Sequence, residues 1–333
     1  GDVYKRQAYG RFTDDKWQEH FTSIGNKYAI DVLYHSKSLF AKVGNRDHFP
    51  VEFEGGIQMA TQFGGDQYIA GQKDPVINMP TRFVDFMRVL IPMAGDDTTP
   101  EGEQVNIYGN HVGSWNFAAT AYLNQWKLKV YYEHYFDDHS QMFFQYGRWK
   151  DGHIGVEITF PKNRLINTFV YEGLGTKDQT GPMLYDSFWG EFEEQISAKD
   201  NYYNHYLYQG WQHWGMGIGN PLLPGPVYNK NGQITFISNR VLAHHIGFSG
   251  SPCHSLGYRV LLSYSRHWGT YDNPLNEIKK QFNSLFEVTY APQRLKGWSF
   301  TVSGAMDRGS MLGNNYGGML VIRKQGIIKS SYK

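Results

Sequence analysis

The sequence predicts an all-β chain, a transmembrane antiparallel β-barrel, and three observations predict it. First, apolar and polar residues alternate in recurring segments of about 9 to 11 residues, the length a tilted strand needs to cross hydrocarbon. Second, the apolar faces often begin or end with Tyr or Trp, as at Tyr28, Tyr34, Trp126, Tyr258 and Trp298, the depths of an interfacial aromatic belt. Third, mean hydropathy is −0.53, and no apolar run approaches the roughly 20 residues of a transmembrane helix. A barrel passes that hydropathy test unseen, because half of each strand is polar.

The strands follow from their two faces. In LGYRVLLSYSRHW, Tyr258, Val260, Leu262 and Tyr264 oppose Arg259, Leu261, Ser263, Ser265 and His267. In HFPVEFEGGIQMATQF, Phe49, Val51, Phe53, Ile57, Met59 and Phe63 oppose Glu52, Glu54, Gln58 and Gln62. In WKLKVYYEHYF, Trp126, Leu128, Val130, Tyr132 and Phe136 oppose Lys127, Lys129, Glu133 and Asp137. Trp298, Phe300, Val302 and Met306 oppose Ser299, Thr301, Ser303 and Asp307. Similar faces run over Tyr28–Tyr34, Trp115–Leu123, Met142–Tyr146, Ile154–Phe160, Leu165–Tyr171, Phe286–Tyr290 and Tyr316–Ile322. Roughly a dozen such segments are joined by Gly, Asn, Asp and Pro turns.

The connections come in two lengths. PKNR after Phe160 is a tight turn, whereas Gly173–Asp200 and Gln209–Gly232 are long. Short turns at one end and long loops at the other fit an outer-membrane barrel, with the long loops outside. One segment, MPTRFVDFMRVLIPMAG, has Phe83, Phe86, Met87 and Leu90 at helical spacing between Pro80 and Pro92. It predicts a short helix near 80–91, packed at the barrel end or inside it. No internal repeat or linker divides the chain, so 1–333 is expected to form one barrel domain. The opening GDVYKRQ resembles a translated adaptor scar and is set aside from the fold.

Composition narrows the partners. The 333 residues carry a formal net charge of +1, which gives no reason to expect nucleic acid. The single cysteine, Cys253, excludes an internal disulfide framework and a multi-cysteine zinc site. His244 and His245 are adjacent on a strand and point to opposite faces, so they do not make a metal pair. No metal or cofactor is expected.

Aromatics are 16% of the chain, with 24 Tyr and 9 Trp, and they concentrate between Tyr202 and Trp214. Tyr203, Tyr206, Trp211 and Trp214 are candidates for stacking on sugar rings, although belts and loops use the same residues for packing. Asp178 and Gln179, with Glu172 nearby, are candidates for hydroxyl groups, or order their own loop. Arg259 is a candidate for acidic sugars, because a guanidinium takes a carboxylate in bidentate fashion. Arg240 and Arg266 are weaker candidates, since they share parity with apolar neighbours. Glu133, Asp137, Asp138 and His139 suggest an acid–His arrangement, but alternation puts Glu133 and Asp137 on a wet lumen face, where solvated charge needs no catalytic role. Glu191, Glu193 and Glu194 read as a solvated edge.

Several stretches carry a resemblance: YYEHYFDDHS (Tyr131–Ser140), DGHIGVEITFP (Asp151–Pro161), VYEGLGTKDQTGP (Val170–Pro182), DNYYNHYLYQGWQHWGMGIGNP (Asp200–Pro221) and the run from Asn239 to His245 followed by YRVLLSYSRHWGTY. In order and spacing they resemble the capsule-assembly Wzi family in its Bacteroidetes-type form. The resemblance implies an outer-membrane β-barrel of about 18 strands when intact, a large barrel, of which this chain is an N-terminally truncated fragment. It implies a non-enzymatic surface lectin that binds and helps anchor or organise capsular polysaccharide. Capsular polysaccharide and outer-membrane lipid are then the expected partners, and a monomer the expected state. A diffusion porin or a barrel enzyme would present the same strands.

Overall fold

The computed structural model describes residues 1–45, 49–105, 107–137, 142, 150–162, 165–179 and 199–326. In chain order the elements are β1 (Asp2–Arg11), α1 (Trp17–Phe21), β2 (Lys27–Ile30), β3 (Leu33–Asn45), β4 (Phe49–Phe63), β5 (Gly65–Ile69), β6 (Ile77–Met79), α2 (Phe83–Leu90) and α3 (Glu101–Val105). There follow β7 (Asn110–Leu123), β8 (Trp126–Phe136), β9 (Gly152–Thr159), β10 (Thr168–Gly175), β11 (Gln212–His213), β12 (Met216–Gly217), β13 (Val241–Cys253), β14 (Leu256–Gly269), β15 (Pro274–Tyr290), β16 (Trp298–Gly309) and β17 (Asn315–Lys324). Among the described residues, twelve strands form one sheet in the order β1-β3-β4-β7-β8-β9-β10-β13-β14-β15-β16-β17, every neighbour antiparallel. The remaining strands make a three-stranded sheet, β2-β5-β6, and the β11-β12 hairpin.

Side chains from β1, β3, β4, β7, β8, β9, β10, β13 and β14 line one cavity. The sheet therefore curls into a barrel wall, and the cavity identifies its inner face. Register then assigns every other residue, because side chains alternate across a strand. Ser263 pairs with His245, and both line the cavity. Their neighbours Leu262 and Ile246, also paired, point outward. From β14 the outward set passes through paired residues: Val260 faces Phe286, Phe286 faces Gly304, and Val302 faces Leu320. Val302 and Leu320 are 60% and 65% exposed. Leu39, Val43, Phe53, Phe117, Val130 and Ile154 are likewise outward and exposed. Such an outer face is costly in water and suited to lipid.

Between β1 and β14 the two ends differ as the sequence predicts; beyond β14 they do not, since the long-loop end has only 270–273 and 310–314 while the other end has 291–297. β7–β8 and β13–β14 are joined by two residues each, 124–125 and 254–255. At the opposite end lie the chain between β4 and β7, which holds β5, β6, α2 and α3, and the chain between β10 and β13, which holds β11 and β12.

Two local expectations are corrected, and a third is narrowed. Tyr28–Tyr34 is not one strand: Asp31 takes φ 61°, and the chain leaves β2, paired with β5, to begin β3. The period-2 pattern spans that break because the pairing register is the same on both sides of it, Ile30 opposite Asp66 and Leu33 opposite Phe63. α2 forms as predicted and packs at the barrel end, the first of the two places expected for it. It packs on the outward face, where Val89 joins Phe63 and Tyr108 and Phe86 stacks on Tyr9 at 4.8 Å. The outward Lys37 seats it, since Nζ donates to the Val89 and Leu90 carbonyls at 2.8 and 2.7 Å, completing the helix C-terminus. Asp2–Gln7, set aside on sequence grounds, run in β1 and pair with β3 from Asp2–Lys42 onward; main-chain pairing asks little of side chains. Asp138, His139, the strand expected over Met142–Tyr146 (Met142 apart), and Glu191–Glu194 lie outside the described residues.

Candidate functional site: the barrel lumen and its closing segment

The cavity has a volume of about 1000 Å³. Aromatic faces from the wall (Tyr4, Tyr34, Phe40, Tyr135) stand among hydroxyls, amides and charges: Ser36, Ser38, Gln58, Ser114, Arg6, Glu54, Glu133, His153, Glu172, His245 and Ser263. Each charged group arrives by strand parity. Glu133 pairs across to His153, and Glu172 sits one step on, opposite Gly155. The three strands thus bring two acids around one imidazole, with Glu133 Oε2 at 3.8 Å from His153 Nδ1 and Glu172 Oε1 at 3.4 Å from Nε2. Tyr131 donates its hydroxyl to Glu172. It reaches across Gly155, where a Cβ would overlap the Tyr131 ring, so a strand glycine here makes room for a side chain. Next along the wall, His245 Nδ1 and the Ser263 hydroxyl are 2.7 Å apart. The arrangement offers charged and neutral hydrogen-bonding groups beside aromatic faces, the combination that holds a sugar by its hydroxyls and its apolar face.

The segment from Lys199 to Asn239 closes the long-loop end. Leu223 and Phe236 pack on the inward Leu174, Val241 and Ala243, with Tyr135 and Tyr203 against them. Wall amides fasten its main chain. Gln62 Nε2 donates to Gly210 O at 2.7 Å, and Gln67 Nε2 to Tyr206 O and Leu207 O at 2.8 and 3.0 Å. Tyr202 donates its hydroxyl to Asp151 Oδ2 at 3.1 Å, and Asp151 Oδ1 accepts from Asp178 N–H at 3.0 Å. Asp151 is buried just before β9, and burial lifts its pKa to about 6 against the pull of the hydrogen bonds it accepts.

The sequence-predicted residues fall in four places. Tyr203 and Trp211 line the cavity together, joined by a Trp211 N–H bond to Tyr203 O at 3.0 Å. Trp211 is only 2% exposed and sits edge-on to Tyr34 of the wall, so it packs the closing segment in place rather than offering an open stacking surface. Trp214 and Tyr206 are exposed on the closing segment, Trp214 at 53%. Asp178 is half-buried beside its anchor, 4.0 Å from Lys150. For Gln179 the structure supports the loop-ordering reading and not the glycan contact, since it is fully buried. Its amide donates to the Thr176 and Asn239 carbonyls and accepts from Tyr202 N–H, so it orders the loop and presents nothing to a ligand. Arg259 does face the lumen, but pairs with Glu287 at 3.4 Å, away from the cavity lining. Arg240 lies over the Tyr271 ring at 3.8 Å, and Arg266 points outward beside Trp268. Sequence reading missed His153, Tyr34 and Tyr135 as site residues. Their parity was visible, but the register that gathers them was not.

Among the described residues, no group of three or more His, Cys, Asp or Glu side chains is placed to hold a metal ion. No helix is long and apolar enough to cross a membrane. A curved antiparallel wall with an apolar outer face, a polar lumen and a long-loop end closed from within defines a membrane-type β-barrel with an internal cavity.

No family model matches this chain, and no curated protein matches it. Among solved structures it is similar to Wzi, an outer-membrane protein involved in group 1 capsule assembly in Escherichia coli and a carbohydrate-binding β-barrel, at 9% identity and a TM-score of 0.47. That match covers 95% of this chain and 56% of the other, so this chain spans little more than half of that structure. A mutant of the Rh. blastica porin is similar at 9% identity and a TM-score of 0.20, with 97% and 99% covered. At these scores the likeness assigns neither a residue nor a role.

Proposed function

We propose that this chain is a non-enzymatic outer-membrane barrel that binds capsular polysaccharide and helps anchor or organise it at the cell surface. The observation that carries the reading is the cavity of about 1000 Å³ with aromatic faces interleaved among acids, amides and hydroxyls. Its volume suits a few sugar units, since pockets for small ligands run to roughly 1,000 Å³. The exposed Trp214 and Tyr206 extend the same chemistry onto the closing segment. A diffusion porin needs an open lumen, and the fastening of Lys199–Asn239 to the wall argues against one. The acid–imidazole cluster supplies polar contacts in this reading and performs no turnover.

The test is binding of the refolded barrel to a panel of purified capsular polysaccharides, with Glu172→Gln and Tyr135→Ala alongside. The wild type retains at least one polysaccharide and both variants weaken it. Retention of none, with a large steady conductance in planar bilayers, would overturn the reading in favour of a porin. Hydrolysis of a bound polysaccharide that is lost in Glu172→Gln would overturn it in favour of an enzyme.

A further inference from the structure

The outward face of β13–β17 is a band with sharp limits. On β15 the outward residues from Phe282 to Tyr290 are Phe282, Ser284, Phe286, Val288 and Tyr290. Their partners on β14 and β16 are Tyr264, Leu262, Val260, Tyr258 and Leu256, and Arg308, Met306, Gly304, Val302 and Phe300. Apart from Arg308, none carries a charge. Nine residues at about 3.4 Å each, tilted, match the roughly 25 Å apolar band of a membrane barrel.

At the long-loop limit the character changes at once. Arg266 and Lys280 are cross-strand partners, and Arg308 is paired with Phe282, one outward step from Lys280. Parity turns all three outward, and all three are exposed. No acidic side chain pairs with any of them among the described residues; Arg266 has only the Trp268 ring, 5.0 Å away. Lys42, Lys127 and Arg259 each meet an acid, Glu52, Glu157 and Glu287, and Lys37 meets helix carbonyls; Lys5, Lys279 and Arg323 have no acidic partner among the described residues either, but only Arg266, Lys280 and Arg308 stand together, on neighbouring outward positions of three adjacent strands. Three unmatched cations converging at the edge of an apolar band form a site for anions whose apolar part lies on the band.

We infer that Arg266, Lys280 and Arg308 form a ledge that binds the phosphate groups of outer-leaflet lipid head groups, while the acyl chains of the same lipid lie on Tyr264, Phe282 and Leu262. The inference rests on the membrane-barrel reading but not on the glycan cavity. Phosphate fits better than a single carboxylate, since a tetrahedral anion accepts from several donors at once and guanidinium groups bind it in bidentate fashion. The ledge fixes the depth of the barrel and marks the long-loop side.

The experiment uses the full chain in neutral detergent, titrated with micelles containing lipid A bisphosphate or its dephosphorylated form, and read by native mass spectrometry. The wild type holds the phosphorylated lipid and releases the dephosphorylated one. Affinity falls roughly fivefold for each cation removed in R266Q, K280Q and R308Q, while K127Q, which removes a lumen charge, binds as wild type. Equal retention by the triple variant, or equal binding of both lipids, overturns the ledge. Displacement of the lipid by a phosphate-free acidic polysaccharide also overturns it, because the ledge would then be a glycan surface. Failure of the wild type to insert into vesicles at all marks failure of the membrane reading instead.

Discussion

Gln62 Nε2 donates to the Gly210 carbonyl at 2.7 Å, and Asn110 Nδ2 donates to Gln62 Oε1 at 2.8 Å. One fully buried wall amide thus stands between the barrel and the segment that closes it. Gln62→Leu leaves the Gly210 carbonyl without this donor, at a cost of about 1–3 kcal/mol. The barrel should assemble, but the closing segment should open more often. Planar-bilayer recordings should show a low-conducting wild type and a variant with frequent larger openings. Identical traces would mean that the segment is held elsewhere.

Asp151 gives the same segment a dependence on pH. Its folded pKa of about 6 lies above the ordinary aspartate value of 3.8, so the folded state holds the proton more tightly than the unfolded one. The stabilisation that protonation brings is complete below about pH 4 and is lost as pH rises through about 6, with a ceiling of about 3 kcal/mol. Hydrogen exchange at the Asp178 and Tyr202 amides, corrected for intrinsic rates, should therefore be slower at pH 5 than at pH 8. Asp151→Asn should flatten the difference.

Trp211 and Trp214 separate structure from recognition. Trp211 is buried, so Trp211→Ala should cost about 3–5 kcal/mol and loosen the closing segment before it reports on any ligand. Trp214 is exposed, so Trp214→Ala should change stability by no more than about 0.5 kcal/mol. If Trp214 stacks on the glycan, binding falls while the heat-modified gel mobility of the barrel is unchanged. Unaltered binding would confine recognition to the lumen.

Gly155 is the space that lets Tyr131 reach Glu172. Gly155→Ala should push the Tyr131 ring aside, and Tyr131→Phe removes the same hydroxyl without moving the ring. Both should weaken polysaccharide binding, and the double variant should be no worse than the more damaging single, since the two act on one contact. Additive losses would show that Gly155 acts through something other than Tyr131.

Most of the strands, their two faces and the presence of α2 were legible in the residues alone. Those are local properties: alternation in Tyr258–Tyr264 or Trp126–Tyr132, and helical spacing from Phe83 to Leu90, are set by residues a few positions apart. Which polar residues meet became visible only in the folded chain. Glu133, His153 and Glu172 converge because the register of β8, β9 and β10 places them there, and Arg266 meets Lys280 by the register of β14 with β15. The fold also decided that Trp211 and Gln179 are enclosed while Trp214 is not, and that α2 packs outside the wall. Register and burial come from pairing residues far apart in the chain, and alternation fixes the face of a side chain without fixing its neighbour on the next strand.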